Sequence, residues 1–160
     1  MARVIETYLH AGPGYNPFLI RDGWQVAQLN YMPELQATDI RRVERHLVTD
    51  EAFILFQGAS ILIAATQAAE GLQFETELMK PGVTYNIPVG TWHNIAMAPQ
   101  DVVIIVEKSN THRNDDHYRD LSEQEYMRLQ AAIEVAKDGA RPRRNLSGPG
   151  EGCCMPAAKL

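Results

Sequence analysis

Apolar and polar positions alternate with a period of two along much of the chain, and turn-forming clusters break the alternation every few residues. Residues 72–79, "LQFETELM", put Leu72, Phe74 and Leu78 on one face and Gln73, Glu75 and Glu77 on the other, the pattern of a half-buried strand. Runs at 23–32, 51–58, 59–67, 83–87, 93–97 and 101–107 read as further strands, the first ending at Pro33 and the second at Gly58. Residues 38–47 are extended in character, with Ile40, Arg42, Glu44 and His46 on one strand face. Residues 1–22, including "HAGPGYNP", show no clear period and read as a turn-rich segment. Many short strands between turn signals predict an all-β sandwich or barrel rather than a βαβ fold.

The period changes to helical near the end. Ser122 is followed three residues later by Glu125, a capping box, and Leu121 stands where it can staple onto Tyr126. Tyr126, Leu129 and Ile133 recur at helical spacing and Gly139 supplies the stop. This helix is expected to cover the outside of the β-structure or to form a subunit contact. The segment after it, with Arg141, Arg143 and Arg144, reads as a solvated tail.

Composition narrows the classes. A chain of 160 residues suits one domain with a sizeable core. Acids outnumber bases by 20 to 15, a net charge of −5, which argues against a sequence-independent nucleic-acid surface. The longest apolar runs, "ILIAA" and "VVIIV", are too short to span a bilayer, and the first ten residues do not read as a secretory signal. Cys153 and Cys154 are adjacent, a spacing that rarely bridges, so no disulfide framework is expected and a reducing, cytoplasmic compartment fits best.

The chemistry concentrates in residues 80–94, "KPGVTYNIPVGTWHN". Gly82 and Gly90 suit tight turns, and Pro88 suits a strand end where its missing N–H costs least. Strand alternation then aims His93 inward and Trp92 outward. The spacing of Gly82, Pro88, Gly90 and His93 resembles the second motif of the cupin family. His46, Glu51 and Gly58 resemble the latter half of that family's first motif. Glu44 stands where the pattern has its first histidine, and Met97 where the second motif carries asparagine. The resemblance covers residues 40–107.

That resemblance implies a small single-domain cupin: a jelly-roll β-barrel with a C-terminal helix. The chain then divides into an N-terminal arm (1–37), the barrel (38–110) and a C-terminal loop, helix and tail (111–160). Carried over position by position, the resemblance implies that Glu44, His46, Glu51 and His93 hold a divalent metal. Two imidazoles and two carboxylates suit Fe(II), Mn(II), Zn(II) or Ni(II). It also implies a homodimer, with the 23–32 strand as the segment paired across the interface.

The same residues have plainer readings. A buried histidine is often hydrogen-bonded structure, and Glu51 follows Thr49 and Asp50 in a turn. Glu44 is open to three roles: metal ligand, free catalytic base, or partner of Arg42 two residues earlier. Arg42 and Tyr85 are candidate substrate contacts, and Arg42 favours an anionic molecule. His112, Asp115, Asp116 and His117 read as a solvated loop, with a lid across the barrel mouth as the alternative. His10 is given no role. Three function classes follow: a metal-dependent enzyme on a small polar molecule such as a sugar, keto acid or phenol, a non-catalytic small-molecule binder, or a barrel kept for dimerisation.

Overall fold

The computed structural model describes residues 4–139. Among these residues, ten strands make two antiparallel sheets. The first sheet holds β1 (Gly14–Arg21), β2 (Trp24–Asn30), β4 (Glu51–Gln57), β7 (Thr84–Ile87) and β9 (Val102–Glu107), in the order β1-β2-β9-β4-β7. The second holds β3 (Arg42–Arg45), β5 (Ile61–Ala68), β6 (Gly71–Leu78), β8 (Trp92–Ala96) and β10 (His117–Asp120), in the order β10-β3-β8-β5-β6. Two facing sheets with a C-terminal helix are consistent with the expected jelly roll, and no strand pairs between the sheets among the described residues. Their inner faces meet in one apolar cluster, with Ala27, Phe53 and Ile105 from the first sheet and Leu62 and Ile95 from the second. The tail, with Cys153, Cys154, Arg141, Arg143 and Arg144, lies outside the described residues.

The sheets run across the expected divisions at 37/38 and 110/111. The segment before Gly23, expected to be turn-rich, contains β1, which forms a hairpin with β2. Asp22-Gly23 is its two-residue turn: Arg21 pairs with Trp24, and Gly23 has φ +83°. Pro17, which has no N–H to donate, lies inside the register shift between Asn16 and Leu19. β2 is flanked by β1 and β9, so both edges of the strand expected to pair across a dimer are already occupied. The predicted 38–47 strand is shorter than expected: residues 37–39 form a 3₁₀ turn and only Arg42–Arg45 pair in a sheet. Ile40 leaves the shared face to pack with Leu129 and Ile133.

Helix α2 (Glu123–Gly139) packs on the second sheet from outside, through Leu129 and Ile133 against Ile61, Ile63 and Ala96. The capping box is formed: the Glu125 N–H donates to Ser122 Oγ at 3.3 Å, and the Ser122 N–H donates to Glu125 Oε2 at 2.9 Å. Glu125 Oε1 also accepts from the Leu72 N–H and from Arg119, at 2.8 and 2.6 Å. Burial pushes the Glu125 carboxyl up, but these donors and the Arg119 charge outweigh it and hold it below its ordinary 4.5. Its stabilisation is therefore complete above that value and lost as pH falls through the lower folded value. Glu125→Ala should destabilise the fold by about 2–3 kcal/mol at neutral pH. Urea titrations at pH 7 and pH 3 should show the penalty shrinking in acid.

No helix among the described residues is long and apolar enough to cross a membrane.

Candidate metal and ligand site

A cavity of about 610 Å³ opens between the two sheets at the end where β3, β4, β8 and β9 meet. Each expected ligand lines it: Glu44, His46, Glu51 and His93. Glu44 and His93 are paired neighbours on β3 and β8. Glu51 arrives from the facing sheet rather than from a strand beside β3. The crossing is fixed by Asp115, whose carboxylate accepts the N–H groups of Leu47 and Val48 at 2.8 to 2.9 Å. Gly90, at φ +80°, donates its N–H to the His46 carbonyl at 2.7 Å. The turn before His93 is thereby tied to the segment carrying His46.

Glu51 sits at the centre of the cluster. Its Oε2 lies 2.7 Å from His93 Nε2 and 3.4 Å from His46 Nε2, with His93 1% and Glu51 6% exposed. The two imidazole rings are 5.3 Å apart. His46 Nδ1 faces the Asp115 carbonyl at 3.1 Å, and His93 Nδ1 faces the Thr91 carbonyl at 3.0 Å. A carbonyl only accepts, so each Nδ1 donates, and each Nε2 is turned toward the cavity. Outer contacts of this kind orient metal-ligating histidines.

Burial pushes the His46 pKa down, but the Glu51 carboxylate outweighs it and raises it to about 9. His93 is raised by the same contest. Burial pushes Glu51 up, and the two imidazoles more than reverse this, leaving it below the ordinary value. A cation bound here would displace protons from both rings.

Glu44 is one-third exposed, with Oε1 4.0 Å from His93 Nε2. Partial burial raises its pKa, assisted by the nearby Glu51 and Asp116 carboxylates. Of the three roles open to Glu44, that of partner to Arg42 is not the one seen: Arg42 instead contacts Asp120 at 3.4 Å, and its guanidinium lies 5.7 Å from the Tyr118 ring. Arg42 remains on the cavity wall with a mostly exposed side chain. Tyr85 does not line the cavity, contrary to its expected substrate contact: its ring packs on the core and its hydroxyl accepts the Lys80 N–H at 2.9 Å. Trp92 faces away from the cavity, packed on Val43, Ala65 and Leu72, with the Arg45 guanidinium 4.3 Å from its ring.

Sequence reasoning missed a second polar group. Glu107, at the end of β9, is 6% exposed and lines the cavity. Its Oε1 accepts from the Tyr15 hydroxyl and from Gln25 Nε2, the latter at 2.9 Å. Gln25 also donates to the Tyr15 hydroxyl at 2.8 Å and accepts the Asn110 N–H at 2.8 Å. Burial raises the Glu107 pKa, and the Glu51 carboxylate raises it further. An acid at an inward position of an apolar strand, in register with Val103 and Ile105, was the available signal. The 108–116 loop is not simply solvated. Thr111 and Asp115 are buried, α1 (Thr111–Asn114) folds over the cavity, and His112 and Asp116 line it.

No family model matches the chain, and no curated protein matches it. Solved structures do. It superposes on CapF bound to 3-isopropenyl-tropolone with a TM-score of 0.50 at 16% identity, over 71% of this chain and 34% of that one. Two further matches are a cupin-2 domain protein from Shewanella frigidimarina (TM-score 0.42, 22% identity, 64% of this chain and 84% of that one) and a 3,4-ketoisomerase from Helicobacter canadensis (0.45, 12%, 66% and 74%). The chain has the cupin fold, shared with that CapF structure. It spans about a third of the length of the CapF chain it matches. At these identities the likeness concerns the fold alone.

The donor chemistry of the site fits a metal. His93 Nε2 and Glu51 Oε2 are buried and make no hydrogen bond of acceptable geometry despite their closeness. Two donors each about 2.1 Å from one ion, at right angles, lie about 3 Å apart, the scale of this cluster.

Proposed function

We propose that this cupin holds a divalent transition metal on His46, His93 and Glu51 and acts on a small polar molecule in the cavity beside it. The observation that carries the reading is the convergence of His93 Nε2, His46 Nε2 and Glu51 Oε2, buried and facing one another, with both histidines held through Nδ1. The mixed nitrogen and oxygen donors suit Fe(II), Mn(II), Zn(II) or Ni(II). A bound ion with open positions would polarise a hydroxyl or carbonyl of the molecule. Glu44, facing the cavity with a raised pKa, is the group to take up a proton from it. Arg42 at the wall favours an anionic or sugar-acid-like molecule. The cavity volume suits a small ligand.

Elemental analysis of protein purified without an affinity metal column tests the reading. One equivalent of a transition metal per chain is expected, and metal-free protein that also takes up none of the four ions would overturn it. A small molecule released on denaturation, incubated with fresh protein, separates enzyme from binder by whether it returns changed.

We further propose that a second copy of the chain covers the outer face of the first sheet. Trp24, Val26, Ile54, Phe56, Ile104 and Val106 point outward there, and Phe56 is 70% exposed. The α2 helix shields only the other sheet. An apolar face of this kind is the mark of an interface. Light scattering should give a dimer for the natural chain and a monomer for Phe56→Glu. A monomeric natural chain would remove the interface.

A further inference from the structure

Three buried side-chain atoms of the cavity make no hydrogen bond: His93 Nε2, Glu51 Oε2 and Glu107 Oε2. The metal reading above uses the first two and leaves the third unexplained. Glu107 is not a loosely placed acid. It is 6% exposed, and its other oxygen is held by Tyr15 and by Gln25, itself fully buried. That arrangement fixes one carboxylate oxygen so that the other points at a chosen place, as outer hydrogen bonds do for ligating carboxylates.

Glu107 stands beside the metal cluster. His46, Glu51 and Glu107 offer donor atoms that all lie within 4.8 Å of one another. Glu44 belongs to a different trio, with His46 and His93, and differs from Glu107 in burial and in how its oxygens are held. It is one-third exposed, 4.0 Å from its nearest imidazole nitrogen, and has no orphaned oxygen. Two buried carboxylates as close as those of Glu51 and Glu107 both stay ionised only where positive charge lies beside them. A divalent ion supplies that charge, and the two carboxylates together balance it.

We propose that Glu107 is the fourth protein donor to the ion, positioned by Tyr15 and Gln25, and that Glu44 is left free to face the bound molecule. The inference rests on the metal reading and refines it. Two carboxylates from the first sheet and two histidines beside the second then clamp the ion between the layers.

The test uses the full chain, freed of metal and titrated with Zn(II) against a chromophoric chelator, and with Co(II) to record its visible absorption. Glu107→Gln should weaken Zn(II) at least tenfold and shift the Co(II) bands. Glu44→Gln should stay within about threefold of the natural chain and leave the bands in place. Tyr15→Phe, which keeps the Glu107 carboxylate but removes a hydrogen bond to it, should weaken Zn(II) about tenfold. This variant keeps the question answerable if Glu107→Gln does not fold. Natural affinity and bands in Glu107→Gln, natural affinity in Tyr15→Phe, or an equal loss in Glu44→Gln, would each overturn the assignment. Failure of the natural chain to take up either ion would instead remove the metal reading, and this inference with it.

Discussion

His93→Ala should lower metal affinity more than about 100-fold while circular dichroism still reports the two-sheet fold. The imidazole is almost wholly buried, its Nδ1 is spent on the Thr91 carbonyl, and its Nε2 lies 2.7 Å from Glu51 Oε2. Alanine removes the donor nearest the centre of the cluster and leaves His46 as the imidazole beside Glu51. The ring meets the apolar cluster of Phe53, Ile95 and Ile105 edge-on at Phe53, 6.0 Å between ring centres, and is not a member of it. Titration of the metal-free variant measures the loss. Full occupancy in His93→Ala would show that the ion sits elsewhere. An unfolded variant would show the ring to be structural, as a buried histidine often is.

Asp101→Ala should have the largest effect on stability, about 3–4 kcal/mol. Asp101 is 1% exposed and its carboxylate accepts three hydrogen bonds: from the Ala59 N–H at 3.1 Å, the Ser60 hydroxyl at 3.0 Å and the Ala98 N–H at 2.9 Å. It ties the β4–β5 turn to the β8–β9 turn, and so joins the two sheets at the end away from the metal cluster. Alanine strands these donors in a closed site. The same contact explains Gly58, the glycine that ends the first motif. Gly58 has φ +95°, and a Cβ there would stand 1.9 Å from Asp101 Oδ1. Urea unfolding of Asp101→Ala measures the loss, and a midpoint shift worth less than 1 kcal/mol would show that water replaces the carboxylate.

The alternation of residues 72–79 and the capping box at Ser122 and Glu125 were legible because each depends on neighbours a few positions away. The turn at Asp22-Gly23 was equally local, but the missing alternation around Pro17 hid the strand before it. The histidines were legible through spacing: a glycine turn, a proline and a strand start fix where His93 points. The sheet that carries Glu51 was not legible in the same way. The distance of Glu51 along the chain from His46 is short, yet the segment between them leaves one sheet and enters the other, held by Asp115 some seventy residues later.

The sequence by itself therefore determined most of the strands, the helix and its cap, the inward direction of His93, and the two glycine turns of the second motif. These follow from periodicity and backbone sterics within a few residues. Only the tertiary structure decided that the strands form two sheets, that Glu51 meets His93 across the interior, and that Arg42 turns to Asp120. It alone brought Tyr15, Gln25 and Glu107 into the same cavity and laid the 108–116 loop over it. The physical reason is that alternation says which side of a strand a residue occupies, whereas a site is made by which inward positions coincide. That coincidence is set by strand register and by the facing of two sheets, through contacts between residues far apart in sequence.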